Sequence, residues 1–192
     1  SILIDQNKKI INIKNKKNLL IFGEFYPFKE HLSKLIPIFN NFIDLSKGKN
    51  VIQEIGDIES LVLICYEDLF RKDVHKIFKG KNPSILINIT NDIWYGETIA
   101  SYQHLMISMA LAIETQRYLI RSTNNGVTAI VSNKGEIINM VRPFKFGTIE
   151  YEIPIITKKS KYVEYKIFIH LIGILSFIIF LIILLKKNRK IL

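Results

Sequence analysis

The 192-residue chain holds one thiol, Cys65. It closes the apolar run LVLIC and is followed directly by Tyr66, Glu67 and Asp68. A cysteine is a nucleophile only as its thiolate, so its surroundings must favour the charged form. At the C-terminal end of a strand that leads into a helix, the helix dipole and free N–H groups stabilise a thiolate and then an oxyanion. Position alone leaves a second reading open, because free cysteine is also among the most buried residue types. Three further clusters bear on the choice. Glu24 follows a glycine in LLIFGEFYPF, Asn91 and Asp92 precede Trp94 in NITNDIWYG, and Arg121 opens RSTNNG. Each follows a short β-rich run, and the strands of a layered sheet bring their ends together. Four polar clusters at strand ends therefore point to one shared site around Cys65.

Each residue also has a plainer reading by itself. Lys16 sits in a lysine-rich patch and could be a solvated side chain. Glu24 could be a loop carboxylate, and Glu67 and Asp68 could be helix N-terminal charges. Trp94 could serve in packing. Arg121 could pair with Glu114 or Glu136, and Asn124-Asn125-Gly126 could be a turn. His104, beside Gln103, reads as structural, and Met106 and Met109 as apolar filler. No His/Cys group has metal-ligand spacing, so no metal is expected.

The elements that must carry these groups alternate. Residues 61–64 and 84–90 read as strands, and residues 1–20 as strand, polar turn and strand. Residues 68–79 place Leu69, Phe70, Val74, Ile77 and Phe78 at helical spacing. Residues 101–120 form a longer amphipathic pattern. Residues 126–141 read as a hairpin that turns at Asn133-Lys134-Gly135. Such alternation implies an α/β layered domain.

Composition narrows the function classes. The chain is 48% hydrophobic, too apolar for a disordered tail, and carries 27 Lys+Arg against 17 Asp+Glu, a formal charge of +10. Stretches such as KKIINIKNKKN have the look of an AT-rich coding sequence, and no basic stripe is interleaved with aromatics. Nucleic-acid binding is therefore not expected. A single cysteine cannot form an internal disulfide.

Residues 167–185, IFIHLIGILSFIIFLIILL, carry no formal charge. As a helix they cross a hydrocarbon layer of about 30 Å; the alternative is a buried core helix. KKNRK follows at once, which favours a cytoplasmic C-terminus and a domain on the outer face. KKSKYVEYK before the span is also basic and pulls the other way. His170 reads as interfacial.

Taken in order, K-x-x-L-x-x-F-G-E, I-C-Y-E, N-D-x-W-Y-G, Q-H and R-S-T-N-N-G resemble the carbon-nitrogen hydrolase (nitrilase) superfamily. Within it the likeness is to the bacterial apolipoprotein N-acyltransferases, and it runs from about Lys16 to Met140. The resemblance implies the C-terminal part of an α-β-β-α sandwich over residues 1–160, a transmembrane helix over 167–185 and a basic cytoplasmic tail over 186–192. It implies catalytic roles for Cys65 as nucleophile and Lys16 as the ammonium that stabilises thiolate and oxyanion. Glu24 and Glu67 match further active-site glutamates, and Tyr66, Asn91, Trp94 and Arg121 fall at substrate-binding positions. The implied reaction needs no cofactor. An acyl chain leaves a phospholipid donor, rests on Cys65 as a thioester, and passes to the α-amino group of a diacylated lipoprotein at the bacterial inner membrane.

The chain also departs from that pattern. The family's general base is a glutamate in a Trp-Pro-Glu-like motif upstream of the lysine, and residues 1–15 contain no glutamate. The chain starts without methionine and reads as the continuation of a longer enzyme. Ile21 stands where proline is usual, and Asp68 where apolar residues are common. The alternatives are a membrane-tethered amidase and a non-catalytic remnant.

Overall fold

A computed structural model describes residues 1–41, 44–49 and 52–188. The polypeptide opens with a hairpin, β1 (Ile2–Ile4) and β2 (Ile10–Ile13), that pairs Ile2 with Ile13. The helix α1 (Lys29–Leu35) follows. A six-stranded sheet then runs in simple chain order from β3 (Ile52–Ile55) and β4 (Ile58–Ile64) through β5 (Ile85–Thr90) and β6 (Leu119–Thr123) to β7 (Thr128–Val131) and β8 (Ile137–Val141).

The middle of this sheet is parallel. β4, β5 and β6 align with Val62 beside Ile87 and Asn88 beside Arg121. Parallel neighbours need crossover connections, which α2 (Arg71–Gly80) and α3 (Ala100–Thr115) supply. Right-handed crossovers between strands added in one direction place both helices on the same face. Val74 and Phe78 of α2 and Leu105 and Leu111 of α3 meet Leu61, Leu63, Leu86 and Leu119 of the sheet there. Strands buried on both faces read as continuous apolar runs, which explains LVLI and ILI. The outer pairs β3–β4 and β6–β7–β8 are antiparallel.

Helix boundaries depart from the sequence pattern at two places. The helix expected over 68–79 starts at Arg71, because Cys65–Leu69 forms a separate 3-10 turn. Glu67 and Asp68 are drawn inward in that turn, whereas Leu69 and Phe70, expected in the core, are 47% and 39% exposed. The helix expected over 101–120 stops at Thr115, where Gln116 adopts a left-handed conformation (φ 53°). That stop turns Arg117 into the core, where its guanidinium donates to the carbonyl of Pro83 and to Asn82. Leu119 and Ile120 then belong to β6.

The last helix, α4 (Lys161–Asn188), starts against the domain, with Val163 in the core cluster. From Ile167 to Leu185 its apolar side chains are 41–64% exposed, so it is not a buried core helix. It is long and apolar enough to cross a membrane. Residues 189–192 of the expected basic tail lie outside the described residues.

The hairpin turn between β7 and β8 depends on Gly135, whose φ is +83° and whose Cβ would lie 2.5 Å from Ile113 Cδ1. Gly135→Ala is expected to destabilise the domain by about 1–3 kcal/mol, read as a lower thermal midpoint in detergent.

Candidate active site

The carboxyl ends of the three parallel strands lie side by side, the usual place for a site in an α/β sheet. β4 ends on Ile64 and delivers Cys65, β5 ends on Thr90 and delivers Asn91 and Asp92, and β6 ends on Thr123 before the Asn124-Asn125-Gly126 turn. Cys65 is half-buried and adopts φ 56°, a left-handed conformation that a residue with a Cβ rarely takes. Such backbone persists only where its surroundings hold it.

Glu67 is the first holder. Its carboxylate is 2% exposed and accepts four hydrogen bonds. Oε2 accepts the N–H of Ile64 at 2.8 Å and the ammonium of Lys14 at 3.1 Å. Oε1 accepts the N–H groups of Lys17 at 2.7 Å and Asn18 at 3.2 Å. Lys14 is fully buried and also donates to the carbonyl of Val62. Burial pulls its ammonium below the usual lysine range, against the opposing charge of Glu67. Glu67 was expected among the catalytic residues, orienting Lys16 or the acceptor amine. Its oxygens are instead occupied in tying the Lys14–Asn18 segment to the Cys65 turn, so it is a positioning residue.

That tie brings Lys16 to Tyr66, the residue after Cys65. Lys16 Nζ donates to both oxygens of Glu24 at 2.8 Å and lies 4.6 Å from the centroid of the Tyr66 ring. Glu24 also accepts the N–H of Leu20, closing its own loop. Burial raises the Tyr66 hydroxyl above its ordinary pKa, and negative charge on Glu24 and Cys65 adds to the rise. Tyr95 is raised by burial and by Asp92 and Cys65. Lys16, Glu24 and Tyr66 therefore form one cluster beside the Cys65 turn.

A second holder lies behind the strands. Arg121 is fully buried on β6. It donates to Asn88 Oδ1 at 2.6 Å, to Ser108 Oγ at 3.0 Å and to Asp92 Oδ2 at 2.8 Å. Asn88 Nδ2 donates in turn to the carbonyl of Cys65 at 2.9 Å. His104 lies between two carboxylates, with Nδ1 2.9 Å from Asp92 and Nε2 3.3 Å from Asp68, and Ser108 donates to Asp68. Burial works against a charged imidazole, but the bonds to Asp68 and Asp92 win and push His104 up to about 9. Burial raises Asp92, and His104 and Arg121 outweigh it and hold the carboxylate below its usual range. Gly126 completes the fit, since a Cβ there would lie 2.2 Å from Asp92 Oδ2.

Arg121 was expected to contact substrate; it has no exposed surface and is linked to Cys65 through Asn88. It pairs with Asp92 rather than with Glu114 or Glu136. Asn91 is exposed, and its Oδ1 accepts the N–H of Ile93. Trp94 is 83% exposed on the 3-10 turn Ile93–Tyr95 and does not pack in the core. Lys14, Asn88, Asp68 and Ser108 were missed as site residues. Asn88 had a visible signal, a lone amide inside the apolar run ILINIT. Lys14 had none, being one lysine among many.

Two outcomes follow from these contacts. Lys14→Met leaves part of a buried carboxylate unpaired, and is expected to cost about 3 kcal/mol of stability in detergent-based thermal unfolding. His104 has a folded pKa raised above its ordinary 6.5. Its stabilising contribution is therefore fully present below that value and is lost as pH rises through about 9. The melting-temperature gap between the native chain and His104→Gln is expected to shrink across that window. A constant gap contradicts the charged imidazole.

Residues 1–157 match the family model described as carbon-nitrogen hydrolase. The chain is 36% identical over 132 residues to an apolipoprotein N-acyltransferase of Nitrosomonas europaea, covering 67% of this chain and 26% of that protein. It is 36% identical over 142 residues to the one from Vibrio parahaemolyticus, covering 72% and 28%. The chain thus spans little more than a quarter of the length of these relatives. A carbon-nitrogen hydrolase from Helicobacter pylori shares the fold at a TM-score of 0.53 and 14% identity, over 74% of this chain and 52% of that one. A CN-hydrolase superfamily protein of Xanthomonas campestris does so at 0.52 and 15%, over 82% and 55%. With a family match over most of its length and a cysteine held at the strand ends of the same fold, the chain belongs to the carbon-nitrogen hydrolase family.

Proposed function

We propose that this chain carries the nucleophile half of an apolipoprotein N-acyltransferase. The observation that carries the reading is its similarity to those enzymes across the segment that contains Cys65, Lys16, Glu24 and Glu67. The exposed apolar α4 agrees with a membrane-bound enzyme whose donor is a lipid.

The thiolate of Cys65 attacks an ester carbonyl of a phospholipid. A carbon–sulfur bond forms, the ester C–O bond breaks, and the lysophospholipid alkoxide leaves with a proton. Lys16 stands where its ammonium offsets charge on the thiolate and then on the carbonyl oxygen. Glu24 holds Lys16 in place through two 2.8 Å hydrogen bonds. The α-amino group of a diacylglyceryl-cysteine at a lipoprotein N-terminus then attacks the thioester. An amide forms, and the sulfur leaves as the thiolate. The proton removed first from the thiol and later from the amine goes to a glutamate base, which the family places upstream of the lysine. The α4 helix spans the inner membrane, with the domain on the outer face. Trp94, exposed on its turn beside the site, is a contact for the lipid or the acceptor.

The test joins the upstream part of a related acyltransferase to this chain and supplies phospholipid with a radiolabelled acyl chain. A hydroxylamine-sensitive label on the protein and acylated lipopeptide product are expected. Cys65→Ala abolishes both, and Lys16→Met lowers the rate about 10²–10³-fold. Hydrolysis of small amides without lipopeptide acylation supports an amidase instead. No label on a folded protein supports a remnant.

A further inference from the structure

The first turns of α4 are fixed to the domain before the apolar stretch begins. Val163 is buried beside Val74 and Phe78 of α2. Ser160 Oγ donates to the carbonyl of Glu114 at 2.5 Å, and Lys166 Nζ lies 3.0 Å from His75 Nδ1. His75 Nε2 is 2.8 Å from Glu114, which also pairs with Arg71 at 2.7 Å. From Ile167 onward the helix leaves the domain and is exposed. With α4 across a bilayer, the membrane surface therefore lies near Lys166 and Ile167.

At that level α2 and α4 enclose a groove of about 610 Å³. Lys72, Lys76 and Lys79 line it from α2 and Lys166 from α4, with Val163 and Ile167 as its apolar wall. The three α2 lysines fall at i, i+4 and i+7, on one stripe of that helix. No acidic residue lines the groove, although Glu164 lines a smaller cavity that shares Lys79 and Val163. Among the described residues none of the three α2 lysines has a carboxylate within ion-pairing distance. The catalytic roles given to Cys65, Lys16 and Glu24 use none of these side chains. Four cations around a hole against an apolar helix, at the depth of lipid headgroups, match a phosphodiester with acyl chains attached.

We propose that this groove is a headgroup site for an anionic glycerophospholipid of the leaflet on which the domain rests. The phosphodiester lies among Lys72, Lys76, Lys79 and Lys166, and the acyl chains run along α4 from Ile167. The site seats the domain on the membrane and accounts for the basic stretch on the outer side of the span, which opposes the charge rule for orientation. It rests on α4 being membrane-inserted.

The whole chain is reconstituted into vesicles of phosphatidylcholine alone or mixed with phosphatidylglycerol. Flotation reads insertion, and native mass spectrometry after detergent extraction reads the lipid retained. Flotation with both vesicles and preferential retention of phosphatidylglycerol are expected. K72Q/K76Q/K166Q still floats but loses that preference at least about tenfold. A variant with the same charge loss elsewhere, K8Q/K9Q/K134Q, keeps it. Flotation without a phosphatidylglycerol preference overturns the site alone. So does a preference that survives in the groove variant, is lost equally in the control, or is abolished by inorganic phosphate. Failure to float with either vesicle overturns the membrane reading and the site together.

Discussion

The buried carboxylate of Glu67 is the contact on which the site depends. It accepts from Lys14, Lys17 and Asn18 on one side and from Ile64 on the other. The first group belongs to the segment that carries Lys16, and the second to the strand that delivers Cys65. Most of the hydrogen bonds between the lysine segment and the Cys65 turn run through this carboxylate, and Lys16 over the Tyr66 ring adds a further link. A buried charge with four partners is costly to disturb, because any lost partner leaves desolvated charge behind.

The strained backbone at Cys65 is held from both directions. Glu67 bonds the N–H of the residue before it, and Asn88 bonds its own carbonyl. Asn88 is in turn oriented by Arg121, and Arg121 by Asp92 and Ser108. In the polar network beneath the strands each charge is paired: His104 faces Asp68 and Asp92, and Arg121 faces Asp92, while Arg121 Nε has no hydrogen-bond partner among the described residues. Such a network can stay buried because its opposite charges are paired and hydrogen-bonded.

Periodicity carried much of the fold. The parallel strands β4 and β5 were visible as apolar runs, and the β7–β8 hairpin was visible from its glycine turn. The N-terminal hairpin was visible from its polar break. The errors fell at helix ends, for a common reason. At Asp68 and Arg117, buried polar contacts to distant segments overrode the local pattern. Leu69 and Phe70 have helical spacing relative to Val74, yet the inward pull on Glu67 and Asp68 turns them outward. Local sequence does not encode a partner thirty or more residues away.

The order of the motifs around Cys65 and the uncharged run at 167–185 determined by themselves the family and the apolar helix. These depend on residue type and spacing along the chain. Only the tertiary structure decided what Glu67, Arg121, Lys14 and Asn88 do. Arg121 reads as a surface cation beside polar neighbours, and becomes an internal brace because β5 and β6 pair in register with Asn88 beside it. Lys14 is indistinguishable from its neighbours until Glu67 meets it across the fold. Charge and hydrogen bonding act through space, and which groups share a buried volume is settled only when the strands come together.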